Sequence, residues 1–189
     1  MKRRLLSVFL VFCCIPGALP GLAQPAALLS LPMLEQRLTV QGIAAADAGL
    51  FVLTMEEGLY LWDGAQAEPE LVMAPAAGPA DGFDQVVGDG HTAWLVNAFW
   101  GTAAALAVQP DGSALPGEAI RLDLTDLSNR DGLLLWEHAP AALCAAGGSL
   151  YWLTGQSRLF VFSLADGSRT DLDLPHARWI AAGPEGTLL

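Results

Sequence analysis

The sequence predicts an all-β fold built from repeated units of four short antiparallel strands. Three observations carry that reading. Residues 143–174 divide into four apolar segments separated by Gly147-Gly148, the 154–157 turn and Asp166-Gly167. Residues 43–53 align without a gap on 143–153, and 86–96 fit the same frame, with Phe51, Trp94 and Tyr151 at one position. Gly, Pro and Asp-Gly punctuation recurs at intervals too short for amphipathic helices.

Taken in order, the chain begins with a basic triplet, Lys2-Arg3-Arg4, and an apolar run through Ile15 that Pro16-Gly17 breaks. Gly21-Leu22-Ala23 then offers small residues at the positions a signal peptidase reads. Residues 1–23 are therefore expected to be a cleaved secretory signal, with Gln24 as the new N-terminus. The run is about a dozen residues, well short of the roughly 20 that span a bilayer. Neither Phe12 before Cys13 nor Cys13 before Cys14 is the small residue that lipidation requires, so no lipoprotein anchor is expected. Beyond the leader, six arginines stand against all 20 acidic residues of the chain. Such an acidic surface excludes nucleic acid and anionic headgroups as partners. Cys144 alone remains of the cysteines, which leaves no internal disulfide and no cysteine-based zinc site.

Residues 24–42 form a lead-in interrupted by Pro25 and Pro32. Units then start near 43, 86, 143 and 180, the last running to residue 189. The third segments are 58–62, 103–108 and 158–164, closed by Asp63-Gly64, Asp111-Gly112 and Asp166-Gly167. Asp-Gly between apolar runs is a strong hairpin signal, because both residues tolerate positive φ. The fourth segments, 70–73, 119–124 and 170–174, include Leu-Asp-Leu at 122–124 and 172–174, the alternation of a strand with one wet face.

Four short strands per unit, a small-residue first strand (Ala44, Ala45 and Ala46; Cys144, Ala145 and Ala146; Ala181-Ala182) and the Asp-Gly hairpin together resemble the bacterial β-propeller repeat families over residues 43–189. The resemblance implies blades of four antiparallel strands, three of them complete and a fourth begun. A propeller needs 4–8 blades, so the chain reads as the N-terminal part of a longer protein. Closure through oligomerisation and a β-sandwich remain as alternatives.

The step from 86 to 143 exceeds the others by about 15 residues, and the excess falls in 125–140. The resemblance implies that this insertion shares a face with the turns between second and third strands, and that ligands meet that face. The candidate rim comprises Glu56, Glu57, Asp81, Asp84, Phe99, Trp100, Asp126, Asn129, Arg130, Trp136, His138, His176 and Arg178. Aromatic plates beside carboxylates and amides suit a protein or carbohydrate ligand, because apolar faces stack while polar groups orient. Leu133 to Trp136 are expected to add a strand or a packed flap. Glu56 and Glu57, adjacent in the chain, are expected to diverge.

No nucleophile elbow, His-Glu-x-x-His motif or phosphate-cradling glycine loop is present. No cofactor and no metal are expected; His91 falls on the opposite set of loops, and only His138, His176 and an acid could meet. The reading favoured is an exported binding or scaffold module for a protein or glycan. The alternative is a secreted hydrolase or lyase with part of its site in further blades.

Overall fold

The computed structural model describes residues 39–65, 68–75 and 82–182. The signal segment 1–23, the lead-in as far as residue 38, Asp81 and residues 183–189 lie outside them. The described chain forms three antiparallel sheets. The first contains β1 (Val40–Ala46), β2 (Gly49–Thr54), β3 (Gly58–Trp62) and β4 (Glu70–Met73), paired in chain order. The second contains β5 (Gln85–Gly88), β6 (Ala93–Asn97), β7 (Thr102–Val108), β8 (Ala114–Pro116) and β9 (Ile120–Arg121). The third contains β10 (Pro140–Ala146), β11 (Ser149–Thr154), β12 (Arg158–Ser163) and β13 (Arg169–Asp173). These are β-propeller blades, hereafter blades 1 to 3. The only helix among the described residues is one 3-10 turn, Trp136–His138.

Blades 1 and 3 share a register offset of 100 residues through their first three strands. Val40 faces Thr54 as Pro140 faces Thr154, and both pairs precede the same β-bulge. Leu53 pairs Leu59 as Leu153 pairs Leu159. At the hairpins the aspartates accept hydrogen bonds from the N–H two residues on: Asp63 from Ala65, Asp111 from Ser113 and Asp166 from Ser168. Gly64, Gly112 and Gly167 follow at positive φ. This is the Asx chemistry that makes Asp-Gly a turn.

The blades stack face on face. One core joins Phe51, Leu53 and Leu59 of blade 1 to Val86, Ala93 and Leu95 of blade 2. A second joins Val87, Val96 and Ala103, on the other side of blade 2, to Leu150, Trp152, Phe160 and Phe162 of blade 3. Strand alternation thus gives blade 2 two apolar faces, one for each neighbour. The small first strands let the blades approach closely. A Cβ on Gly88 would lie 2.2 Å from the Ala45 carbonyl oxygen. Cys144 is buried, and burial pushes its thiol up to about 11.

The structure refines the unit starts and corrects the fourth segment of blade 2. The first strands open at Val40, Gln85 and Pro140, ahead of 43, 86 and 143. The fourth segment of blade 2 is not one strand over 119–124 but two short ones, β8 and β9, both pairing β7. Leu122 and Leu124 lie beyond β9 and are both buried, because this stretch tucks under the turn at Gly101: the Leu122 N–H donates to the Gly101 carbonyl, and a Cβ on Gly101 would strike Leu124. Of the strand or packed flap expected over 133–136, the structure shows the flap, with one bridge between Ser128 and Leu134 and the 3-10 turn at its end.

Candidate functional site

The second strand of each blade ends on a buried polar residue: Thr54, Asn97 or Thr154. Each caps the turn that follows. Thr54 Oγ1 accepts from the Glu57 N–H, Asn97 Oδ1 from Trp100, and Thr154 Oγ1 from Arg158. These caps fix the turns that form one loop face, and sequence reading passed over them. Their signal was present as a polar residue closing each apolar run.

On blade 1 the adjacent acids diverge, as expected, although they sit in a turn rather than an extended segment. Glu56 accepts from the Thr39 N–H and hydroxyl at 2.8 Å each, which holds its carboxyl below the ordinary value. Glu57 accepts from the Tyr60 hydroxyl and pushes that phenol up to about 12. Both carboxylates are committed to local partners.

On blade 2, Asp84 accepts from the Ala98 N–H at 3.0 Å, and burial raises its carboxyl above the ordinary 3.8. Phe99 and Trp100 meet edge to face at 6.4 Å, with Phe99 53% exposed and Trp100 half-buried. The Phe99 carbonyl accepts from Leu134, so the 125–140 flap docks against this turn. Within the flap, Asp126 adopts positive φ and Asn129 caps its own turn through the Asp131 and Leu133 N–H groups. Arg130 is exposed.

The flap ends beneath blade 3. His138 is buried, its ring edge-on to Phe160 at 6.1 Å, and its carbonyl accepts from the Trp152 indole at 2.8 Å. This anchor leaves Trp136, two residues earlier, 84% exposed. Trp136 lines the first of two adjoining open hollows of about 380 Å³ each. Glu137, Ala139, Pro140 and Gln156 complete the first, while Thr154, Ser157, His176 and Arg178 line the second. Ala141 and Gly155 border both. His176 stands at positive φ, and Ser157 Oγ donates to the Ala177 carbonyl, which clips the second wall in place.

The structure therefore places Trp136 at one hollow and His176 and Arg178 at its neighbour, with His138 anchoring the flap that carries Trp136. Glu56 and Glu57 line neither hollow, nor do Asp84, Phe99, Trp100, Asn129 or Arg130. His138 Nε2 stands 3.8 Å from Glu137, but no group of three His, Cys, Asp or Glu side chains that could hold a metal comes together among the described residues. His91 lies with Asp47, at 3.1 Å, on the turns that open the blades, away from both hollows. Glu137, Gln156 and Ser157 were missed as individuals. Gln156 and Ser157 are the register counterparts of Glu56 and Glu57, and that equivalence was the available signal.

No family model matches this sequence, and no curated protein matches it. Solved structures do. The U3-55K structure matches with TM-score 0.46 and 14% identity, over 81% of this chain and 51% of that one. The Neurospora crassa Pan2 WD40 domain matches with TM-score 0.46 and 12% identity, over 77% and 42%. The computationally designed Ika4 protein matches with TM-score 0.45 and 10% identity, over 81% and 90%. This chain spans about half the length of the first two.

Proposed function

We propose that this protein is an exported binding module that holds a protein or glycan segment in the adjoining hollows beside Trp136. The observation that carries the reading is the indole itself. A tryptophan 84% exposed, on a flap anchored two residues on at the buried His138, presents an apolar plate beside polar groups. Burying such a ring on a ligand contributes far more than any solvated side chain nearby. Gln156 and Glu137 orient the ligand on one side, and on the other Arg178 supplies positive charge and His176 an imidazole ring. The leader at 1–23 supports action outside the cytoplasm.

A panel of peptides and oligosaccharides, followed by tryptophan fluorescence, tests the assignment. A true ligand changes the emission of the parent protein, and Trp136→Ala weakens its binding at least tenfold with the melting temperature unchanged. Phe99→Ala, outside both hollows, leaves affinity within about twofold. A ligand that binds Trp136→Ala as tightly as the parent sinks the assignment.

A further inference from the structure

The two adjoining hollows carry opposite charge. Trp136 and Glu137 stand at the first, and an indole face beside a carboxylate is an arrangement that attracts a cation. The Glu137 side chain is 43% exposed, and the one basic group it meets among the described residues is His138 Nε2. That contact, at 3.8 Å, is too long for a hydrogen bond, so the carboxylate is open to a ligand.

The second hollow gathers donors. Arg158 and Arg169 of blade 3 share Asp171, whereas Arg178, in the wall of this hollow, meets no acid among the described residues. Thr154 lies in the same wall, 2% exposed, and accepts from the Arg158 N–H. Its hydroxyl proton has no acceptor among the described residues. The counterpart in blade 1, Thr54, hands that proton to the Gly58 carbonyl. Blade 3 therefore keeps a buried donor that an acceptor on a ligand satisfies, beside the Arg178 guanidinium and the His176 imidazole.

Charge decides between the two classes of ligand. A neutral glycan leaves both Glu137 and Arg178 unpaired. An acidic glycan reaches Arg178 but brings its carboxylates against Glu137, on a chain with 20 acids to 9 bases. A peptide with a basic side chain beside an acidic one matches both hollows and adds no net charge. Ala141 and Gly155 border both hollows, which suits neighbouring residues of one short segment.

Resting on the reading of these hollows as the binding site, we propose that their ligand is a dipolar peptide segment. A Lys or Arg side chain enters the first hollow, over Trp136 and against Glu137. The Asp or Glu beside it enters the second, against Arg178, His176 and Thr154.

Acetylated and amidated dipeptides, Arg-Asp, Arg-Asn and Gln-Asp, each in both orders, test this by nuclear magnetic resonance titration of the isotope-labelled mature protein. One order of Arg-Asp should shift the Trp136 indole and Arg178 side-chain signals. It should bind about threefold or more tighter than the matching Arg-Asn and Gln-Asp, the scale of one exposed ion pair, and lose that advantage as salt rises. Glu137→Gln and Arg178→Gln alter exposed side chains, so the melting temperature stays that of the parent. Glu137→Gln should abolish the preference for Arg over Gln and keep that for Asp over Asn; Arg178→Gln should do the reverse. Absence of dipeptide binding, equal binding of the three probes, or preferences that survive both variants overturns the proposal. Oligogalacturonate and a cello-oligosaccharide form the glycan arm. A glycan that needs Trp136 while no dipeptide shifts its indole overturns the peptide and leaves the site standing; probes that all bind Trp136→Ala as tightly as the parent overturn both.

Discussion

Trp152 and Trp136 sit on the two sides of one flap contact. Trp152 is fully buried and donates to the His138 carbonyl, which ties the flap to blade 3. Trp152→Phe keeps a benzene ring but removes the pyrrole half and its donor, leaving a buried carbonyl unpaired. The expected loss is about 1–3 kcal/mol, read by urea denaturation, with faster proteolysis of the 125–140 flap. The acids divide into two kinds. Asp111 and Asp166 accept from Ser113 and Ser168, whose hydroxyls and N–H groups hold both carboxyls below 3.8, whereas burial holds Asp84 above it. A lowered carboxyl contributes stability that is present above 3.8 and is lost as pH falls through its folded value. A raised one works oppositely: the fold holds the proton more tightly than the unfolded chain, so stability falls as pH rises from 3.8 through the folded value. Asp84→Asn should abolish that fall. Side-chain carboxyl carbon shifts should show Asp84 ionising after Asp111 and Asp166 as pH is raised. The reverse order would refute the burial assigned to Asp84.

At the scale of the strand, the first strand of each blade is where sequence and packing meet. Ala44, Ala45 and Ala46 are legible as a small-residue strand, but the reason is legible only in space: β5 runs so close that Gly88 has no room for a side chain beside the Ala45 carbonyl. Gly88→Val should destabilise by about 1–3 kcal/mol through overpacking, whereas Gly155→Ala, with nothing within 4 Å, should stay within about 0.5 kcal/mol. Thermal unfolding of the two variants checks the contrast. Strand number and hairpins were readable because Asp-Gly encodes a turn locally and alternation encodes a face. The fourth segment of blade 2 was misread because Leu-Asp-Leu also suits a tucked loop: Leu122 and Leu124 are buried by the Gly101 turn, a contact that no period-2 pattern reveals. The site was half readable. Trp136, His176 and Arg178 were singled out, but Glu56, Glu57 and Asp84 were grouped with them only because they share a loop face. Local hydrogen bonds from Thr39, Tyr60 and Ala98 separate them, and such bonds leave no trace in composition.

For the whole molecule, repetition with an offset of 100 residues converts a weak local pattern into an architecture. Blade 2 has no spare face: Val86 and Leu95 serve blade 1, while Val87 and Val96 serve blade 3. A two-layer sandwich of the same strands would instead bring the apolar faces of the first and third sheets directly together. Nuclear Overhauser contacts between methyl and aromatic protons separate these arrangements. The stacked blades predict contacts from the Trp152 and Phe162 rings to Val87 and Val96, and from Phe51 to Val86 and Leu95, with none between Phe51 and Trp152. Direct contacts between Phe51 or Leu53 and Trp152 or Phe162 would contradict the blade stack and, with it, the loop face on which the hollows lie.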